Sequence, residues 1–152
     1  MLDQLQTVLA SFQTYQVKYL VIGGIAAVLY GVPRATFDLD ILIEPTEENA
    51  ARLLEAMTKA GLGSASLTTP AEVVSKEITI FADRVRLDVL TAAPGLDFDT
   101  AWKRRVTMNY AGQAFEVISL NDLIASKRAA GRDVDLDDVR TLMSNSLTMR
   151  EE

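Results

Sequence analysis

The segment from residue 37 to residue 43, FDLDILI, has the apolar composition of a buried strand but carries two acids two positions apart. Side chains at positions i and i+2 of a strand point to the same side of the sheet, so Asp38 and Asp40 share one face. Their Cα atoms are then roughly 7 Å apart. The opposite face, which we expect to contact the core, carries Leu39, Ile41 and Ile43. The segment therefore predicts a sheet with one buried face and one face that holds acidic side chains.

A third acid occurs in the same pattern in the segment VRLDVL, residues 85–90. Arg86 and Asp88 point together there, and if this strand neighbours the first one, three carboxylates converge on one face. Like charges that close together are unfavourable unless a cation lies among them. The chain has no histidine and no cysteine, so oxygen must hold the cation, which favours Mg²⁺, Mn²⁺ or Ca²⁺. The alternative is a structural arrangement, in which the acids are solvated or Arg86 pairs with one of them.

Two glycines, Gly23 and Gly24, follow a short β-rich run at 17–22 and precede a short helical pattern at 25–30. Such a turn directs backbone N–H groups at one point, and the helix start adds positive partial charge, so the turn can hold phosphate. Taken alone, Gly-Gly is more often a tight turn, and it is neither a Walker loop nor a dinucleotide-binding fingerprint. Beside a cluster of metal-binding acids, it describes a site for a nucleoside triphosphate bound with its metal.

The combined pattern is two glycines, thirteen residues, Asp38-x-Asp40 followed by an apolar residue, and a later Asp88 on a strand. It resembles the nucleotidyltransferase superfamily that includes DNA polymerase beta. The stretch GVPRATFDLD at 31–40, and the spacing L-x3-K-x3-G-R-x2-D-x2-D at 123–138, are most similar to small bacterial and archaeal nucleotidyltransferase-like proteins. Relatives of these include toxins of abortive-infection toxin–antitoxin systems. The resemblance covers about residues 15–143.

The resemblance implies a nucleotidyltransferase fold and the transfer of a nucleoside monophosphate from a triphosphate to an acceptor hydroxyl. It implies that Gly23 and Gly24 contact the triphosphate and that Asp38 and Asp40 bind Mg²⁺ or Mn²⁺. It also implies that Asp88 binds metal and activates the acceptor, which makes the three acids the predicted catalytic residues. Many relatives have a further helical domain for the acceptor. About 60 residues follow Asp88, so we expect acceptor binding to be minimal or supplied by another chain.

Other polar residues are weaker candidates for the same site. Arg34 and Thr36 precede the acids, and Arg34 could reach the triphosphate or pair with the acid cluster. Lys127 lies in an apolar helical pattern, from which it could reach a phosphate or extend to solvent. These three complete the predicted nucleotide-binding set. Asp135 and Asp138 are expected to cap the last helix rather than to take part in catalysis.

The pattern of the whole chain predicts one mixed α/β (α+β) domain, residues 1–152, with one mixed β-sheet covered by helices. Hydrophobic spacing and turn residues predict helices at 2–15, 25–30, 46–60, 97–105, 120–130 and 135–143, with a single helical turn at 70–75. They predict strands at 17–22, 37–43, 77–81, 84–90, 106–110 and 114–118, of which the last four form two hairpins. Residues 62–69 are predicted to be a loop.

Composition limits the partners of such a domain. The net charge of −6 disfavours long duplex DNA and mildly favours a cationic or small acceptor, while leaving a tRNA end, a protein side chain or a small molecule open. The basic cluster at 103–105 is expected on a solvated helix face, and Trp102 in the core. No apolar run predicts a membrane span and no signal peptide is evident. The absence of cysteine fits a cytoplasmic protein.

A second hypothesis assigns the chain to a different class of function. The fold could serve as a binding or regulatory module without turnover, such as one partner protein of a toxin–antitoxin pair. The short chain favours this hypothesis. The retained acids favour an enzyme, because a non-catalytic copy has no need to hold like charges together.

Overall fold

The computed structural model describes residues 2–36 and 38–151. Phe37, the predicted first residue of the second strand, lies outside the described residues, as do Met1 and Glu152. The helices are α1 (Leu2–Thr14), α2 (Gly23–Leu29), α3 (Glu47–Lys59), α4 (Pro70–Ser75), α5 (Phe98–Lys103), α6 (Leu120–Ala130) and α7 (Asp133–Glu151). The strands are β1 (Tyr19–Ile22), β2 (Asp38–Ile43), β3 (Ile78–Ala82), β4 (Arg86–Leu90), β5 (Val106–Tyr110) and β6 (Gln113–Val117). The predicted order of elements is confirmed, and a short 3₁₀ helix at Gly63–Leu67 occupies most of the predicted loop.

The strands of the described part form one mixed sheet in the order β3-β4-β2-β1-β6-β5. β2 runs parallel to β4, and β1 runs parallel to β6, while the other neighbouring pairs are antiparallel. Both predicted hairpins, β3–β4 and β5–β6, are confirmed. The prediction of converging acids required β2 and β4 to be neighbours, and the sheet order meets that requirement.

β2 and β4 each have one fully buried face and one partly open face. The buried face carries apolar side chains that are at most 1% exposed: Leu39, Ile41, Ile43, Leu87 and Val89. Strand alternation therefore places the acids of both strands on the other face. Helix α2 packs on β1 and β2, and α1 packs on β6 and α3. Within the described part, no helix is both long and apolar enough to cross a membrane.

Side-chain caps fix the starts of the helices that flank the sheet. The Thr46 hydroxyl accepts a hydrogen bond from the backbone N–H of Asn49, which begins α3. The Ser119 hydroxyl accepts one from the backbone N–H of Asp122, which begins α6. Gly131 ends α6 with a left-handed backbone, φ 69°, that glycine adopts without strain. The local turn chemistry thus sets these boundaries close to their predicted positions.

The last helix differs from its prediction. It runs from Asp133 to Glu151 instead of spanning 135–143. Asp135 and Asp138 therefore lie inside the helix, where they are only 2% and 4% exposed, and the prediction that they cap it is wrong. The physical reason is that both carboxylates form ion pairs with basic side chains of other segments: Asp135 with Lys127, and Asp138 with Lys127 and Arg34.

Candidate active site

A cleft of about 450 Å³ lies over the open face of β2 and β4, where β1 passes into α2. Asp40 is directly opposite Asp88 in the parallel β2–β4 pair, and Asp38 is opposite Arg86. The predicted catalytic, metal-binding and nucleotide-binding residues all line this cleft: Gly23, Gly24, Arg34, Thr36, Asp38, Asp40, Asp88 and Lys127. The fold thus brings together every residue that the sequence assigned to the site, and their individual roles stay predictions.

The two glycines form the wall of the cleft because side chains would not fit there. Gly23 has a left-handed backbone, φ 69°, and a Cβ atom at this position would lie 2.2 Å from Oδ2 of Asp40. A Cβ at Gly24 would lie 3.1 Å from Oγ1 of Thr36 and 3.2 Å from Nη2 of Arg34. The Asp40 carboxylate therefore lies directly against the backbone of the glycine turn. This contact explains why the residue that faces Asp40 at position 23 is a glycine.

We expect Gly23→Ala to lower the free energy of unfolding by roughly 2–4 kcal/mol, because it adds a clash with Asp40 to the strain of a left-handed alanine. Gly112→Ala is the matched control, since Gly112 also has a positive φ, 83°, but has no atom within 4 Å of an added Cβ. The control should lose only about 1–2 kcal/mol. Urea unfolding of both variants measures the difference, and equal losses would contradict the close contact between the Gly23 backbone and Asp40.

Asp40 is the electrostatically strained member of the acid cluster. Burial raises the pKa of its carboxyl group to about 7, with further contributions from the neighbouring Asp88 and Asp38, while Arg86 offsets only part of the shift. No basic side chain of the described residues lies within ion-pair distance of the Asp40 carboxylate. Its negative charge is therefore poorly compensated by protein, as expected of a group whose intended partner is a bound cation.

Arg86 was the rival partner for the acids, and its contacts are specific. Its Nε lies 3.1 Å from Oδ1 of Asp88 and its Nη2 lies 3.5 Å from Oδ2 of the same residue. The distance from Nε to Oδ2 of Asp38 is 3.6 Å. Arg86 thus makes a two-pronged contact with Asp88, a looser one with Asp38, and no ion pair with Asp40. Arg86 and Asp38 are both 47% exposed at the side chain, so their pair adds little stability.

The chemistry of these donors can be compared with what a divalent cation requires. Carboxylate oxygens are ligands that Mg²⁺ and Mn²⁺ prefer, and the repulsion between Asp40 and Asp88 is the kind that a cation relieves. The structure does not contain a ready-made cage, because no group of three acids among the described residues is arranged closely enough to hold a metal ion. Since Mg²⁺ usually keeps several waters and needs only one or two carboxylates, the donor set still fits it.

We expect Asp40→Asn to raise the stability of the metal-free protein at pH 8 by about 2 kcal/mol, after allowing for partial exposure of the carboxylate. A carboxyl whose pKa rises on folding destabilises the native state progressively as pH increases from about 4 to about 7, because the folded protein binds the extra proton. The gain should therefore vanish near pH 4. Urea unfolding at both pH values tests this, with the exposed Glu55→Gln as control. A loss of stability at pH 8 would instead make Asp40 part of a structural ion pair.

The far wall of the cleft is a buried ion-pair network rather than a row of free cations. Lys127, which is 7% exposed, places its Nζ 2.8 Å from Oδ2 of Asp138 and 3.7 Å from Oδ1 of Asp135. Nη1 of Arg34 lies 3.0 Å from Asp138. Arg132 contacts Asp135 through Nε and Nη2, at 2.7 and 3.1 Å. Lys127 therefore does not extend to solvent, and Arg34 pairs with Asp138 rather than with the acids of the sheet.

Besides Asp135, two polar residues that line the cleft were not predicted as part of the site. Arg132 and Ser126 both line the cleft, and the side chain of Arg132 is 74% exposed, so one cation remains accessible to an anionic ligand. The usable signal for Arg132 was its place in the L-x3-K-x3-G-R spacing, five residues after Lys127 and directly after the glycine that ends the helical pattern. No sequence signal pointed to Ser126, which is simply one residue before Lys127 on α6.

The basic cluster at 103–105 lies away from the cleft. Arg104 makes a two-pronged ion pair with the buried Asp122, with distances of 3.1 and 2.8 Å. Nε of Arg105 lies 2.9 Å from Oε2 of Glu116, and its guanidinium carbon lies 3.9 Å from the centre of the Trp102 ring. Residues 103–105 are exposed, as predicted, and the two arginines also form ion pairs with buried acids on other elements. Trp102 packs against the core, as predicted.

The sequence matches that of a known group of proteins over nearly its whole length. A family profile described as nucleotidyltransferase of unknown function (DUF6036) matches residues 1–149. The chain belongs to this family. No curated protein matches the sequence. Family membership agrees with the resemblance inferred from the glycines and the three acids.

Solved structures show the same fold at low sequence identity. An antigenic nucleotidyltransferase-like protein from Paracoccidioides brasiliensis is 20% identical, with a TM-score of 0.54 over 94% of this chain and 75% of its own. A candidate nucleotidyltransferase from Thermotoga maritima is 17% identical, with a TM-score of 0.53 over 99% of this chain and 93% of its own. The predicted nucleotidyltransferase fold, with one mixed sheet and covering helices, is thus confirmed.

Proposed function

We propose that this protein is a metal-dependent nucleotidyltransferase that moves a nucleoside monophosphate from a triphosphate to an acceptor hydroxyl and releases pyrophosphate. The observation that carries the proposal is the cross-strand pair of Asp40 and Asp88 in one cleft with the Gly23-Gly24 turn. The poorly compensated charge of Asp40 supports it. Membership of a nucleotidyltransferase family makes this chemistry the natural use of the cleft.

Asp38, Asp40 and Asp88 are the candidate ligands for Mg²⁺ or Mn²⁺. Because the three do not form a closed cage, one or two of these carboxylates, together with waters, would hold the ion. When bound, the metal supplies Lewis-acid stabilisation of the phosphate charge and lowers the pKa of the acceptor hydroxyl. Asp88 is the natural proton acceptor in a chain without histidine, because it lies on the side of Asp40 away from the glycines. Asp38, whose carboxylate is more exposed than that of Asp88, is a further oxygen donor that lines the cleft.

The remaining residues of the cleft serve to bind and orient the triphosphate in this proposal. Gly23 and Gly24 leave the backbone bare, so a phosphate can approach it closely. Arg34 and Thr36 border Gly24, and the exposed Arg132 offers positive charge to the phosphates. Lys127 lines the same cleft, and its ion pair with Asp138 joins α6 to α7 there. Its charge also adds to the positive potential that attracts the phosphates. These roles follow from position and charge.

A thermal-shift screen tests the proposal directly. The protein is heated with ATP, GTP, CTP or UTP, each with and without Mg²⁺, because a ligand that binds only the folded state raises the unfolding temperature. We expect stabilisation that requires both the metal and a triphosphate. Incubation with α-labelled triphosphates and a cytoplasmic extract then shows which class of acceptor takes up the label. Absence of both effects would refute the proposal.

The alternative is a non-catalytic binding or regulatory module, such as one partner of a toxin–antitoxin pair. One observation favours it: Arg86 makes a two-pronged contact with Asp88 and thereby supplies charge that a metal would otherwise supply. In this case the acids would need no cation and triphosphates with Mg²⁺ would not stabilise the protein. The same thermal-shift screen therefore separates the two functions.

A further inference from the structure

An apolar surface continues the open face of the sheet beyond the third acid. In the antiparallel β3–β4 pair, Ile80 is directly opposite Asp88, so one row across the sheet reads Ile80, Asp88, Asp40 and Ile22. Ile80 is 52% exposed and Ile78, on the same face, is 45% exposed. The β3 platform, as we name the face formed by Ile78, Ile80 and Ala82, thus adjoins the acid cluster on the side opposite the glycines.

The order of this row fixes which substrate lies over the β3 platform. Phosphoryl transfer places the attacking and leaving oxygens roughly in line on opposite sides of the phosphorus. If the triphosphate lies against Gly23, its leaving pyrophosphate lies at the β1 end of the row, next to Ile22. The acceptor must then approach from the β4 and β3 end. Ile80 is therefore part of the surface that an acceptor meets, an assignment that rests on the proposed function.

The charges around the β3 platform disfavour a polynucleotide acceptor. Nucleic acid binding depends on several lysine or arginine contacts to phosphates. Among the residues of β3 and β4, Arg86 is the one basic side chain on this face, and it is already paired with Asp88 and Asp38. Arg84 donates to the backbone carbonyl of Ala60, at the end of α3. An exposed pair of isoleucines instead suits an acceptor with apolar side chains.

The edge of the sheet suggests how such an acceptor is held. β3 is an edge strand, so its outer backbone groups pair with no other strand of the described residues. Natural proteins usually protect an apolar edge with charges or proline, because an unprotected edge pairs with other chains. The five residues of β3 include neither. An extended polypeptide can therefore add to β3 as a further strand, through backbone hydrogen bonds.

We propose that the acceptor is a protein segment that pairs with β3 and presents a tyrosine hydroxyl to the acid cluster. A strand added at β3 lies two strand spacings, roughly 9–10 Å, from β4, so a short serine or threonine side chain would not reach Asp88. A tyrosine opposite Ile80 makes a favourable aromatic–β-branched cross-strand pair. Its hydroxyl also lies farther from the backbone than the hydroxyl of serine or threonine.

The chemical step balances without another reactant. The tyrosine oxygen forms a bond to the α-phosphorus, and the bond from that phosphorus to the α,β-bridging oxygen breaks. Pyrophosphate leaves with the bonding electron pair, and the phenolic proton passes to the Asp88 carboxylate. The products are a nucleotidylated tyrosine and pyrophosphate.

The first arm of the test identifies the acceptor class. The protein is incubated with α-labelled triphosphates, Mg²⁺ and extract, and the products are treated with ribonuclease or proteinase. We expect label that resists ribonuclease, is released by proteinase, and maps to tyrosine by mass spectrometry. Label in RNA, in a small molecule or on serine would overturn the tyrosine inference while leaving the proposed function intact. Absence of both label and metal-dependent triphosphate stabilisation would overturn the two together.

The second arm tests the β3 platform itself. Ile80→Ser should reduce protein labelling at least about tenfold, the effect of a lost apolar contact of about 1.4 kcal/mol, while metal-dependent stabilisation by triphosphate is unchanged. Val106→Ser is the matched control, because Val106 is 39% exposed on β5, the other edge strand. Val106→Ser should transfer label to the acceptor protein as efficiently as the unmodified protein does. If Ile80→Ser fails to fold, Ile78→Ser replaces it. Equal labelling by the platform variant and the control would overturn the inference.

Discussion

Asp38→Ala and Asp40→Ala are each expected to abolish label transfer from an α-labelled triphosphate, with losses on the order of 1,000-fold or more. Both carboxylates lie on the same face of β2 and, in the proposed function, act on the same bound cation. Residues that act as a unit show non-additive effects, so the double variant should be no worse than either single one. The measurement is initial rate at saturating Mg²⁺ and triphosphate.

Two controls make this result specific to the cluster. Asp99→Ala removes an exposed acid from the first turn of α5, outside the cleft, and should keep full activity. Thermal unfolding should show that Asp38→Ala remains folded, because Asp38 is half exposed and its 3.6 Å contact with Arg86 contributes little. Either acid variant retaining more than a tenth of the activity would remove both residues from the mechanism.

The position of the acids was predictable because it depends on local rules. Alternation in a strand is enough to place Asp38 and Asp40 together and to bury Leu39 between them. The convergence of all three acids also required β2 and β4 to be neighbours. The sequence did not predict this pairing, since the residue pattern of a strand does not specify which strand lies beside it. The structure meets that condition in the most favourable register, with Asp40 directly opposite Asp88.

The far wall of the cleft was not predictable from local rules. Asp133, Asp135 and Asp138 are chemically alike and all lie near a helix start, so each is an equally good cap by sequence. Their difference comes from distant partners: Lys127 on the preceding helix, and Arg34, which is 104 residues away from Asp138. Only the packing of α6 and α7 against the segment before β2 decides which acids are buried.

The exposed face of β3 is a second feature that the sequence pattern could not predict. An isoleucine at position 80 in a β-rich run predicts a strand, and the strand is present. The pattern cannot say whether a helix covers that face, because coverage depends on where the chain runs after the strand. In this fold Ile78 and Ile80 of β3 are left exposed, and the role proposed for Ile80 rests on its register with Asp88 rather than on its residue type.

Lys127→Met is expected to lower the free energy of unfolding at neutral pH by about 2–3 kcal/mol. It removes the buried cation that Asp135 and Asp138 share, while each carboxylate keeps one arginine partner. Burial alone would raise the pKa of Asp135, but Arg132 and Lys127 outweigh that effect and hold the pKa below its ordinary value. A carboxyl with a lowered pKa stabilises the folded protein above its unfolded pKa, and the contribution is lost as pH falls through the folded value. The loss in Lys127→Met should therefore be largest at pH 7 and shrink below pH 4 or so.

Urea unfolding across this pH range separates the structural role of Lys127 from a role in nucleotide binding. Arg128→Met is the matched control, since it removes the same charge from the next position of α6, which is exposed. It should change stability by less than about 0.5 kcal/mol. Lys127→Met could have the same free energy of unfolding as Arg128→Met and yet no longer be stabilised by triphosphate and Mg²⁺. In that case the lysine is a phosphate ligand, and its pairing with Asp138 is incidental. If it loses stability as expected, the lysine orders the cleft by joining α6 to α7, and any weaker binding follows from that loss.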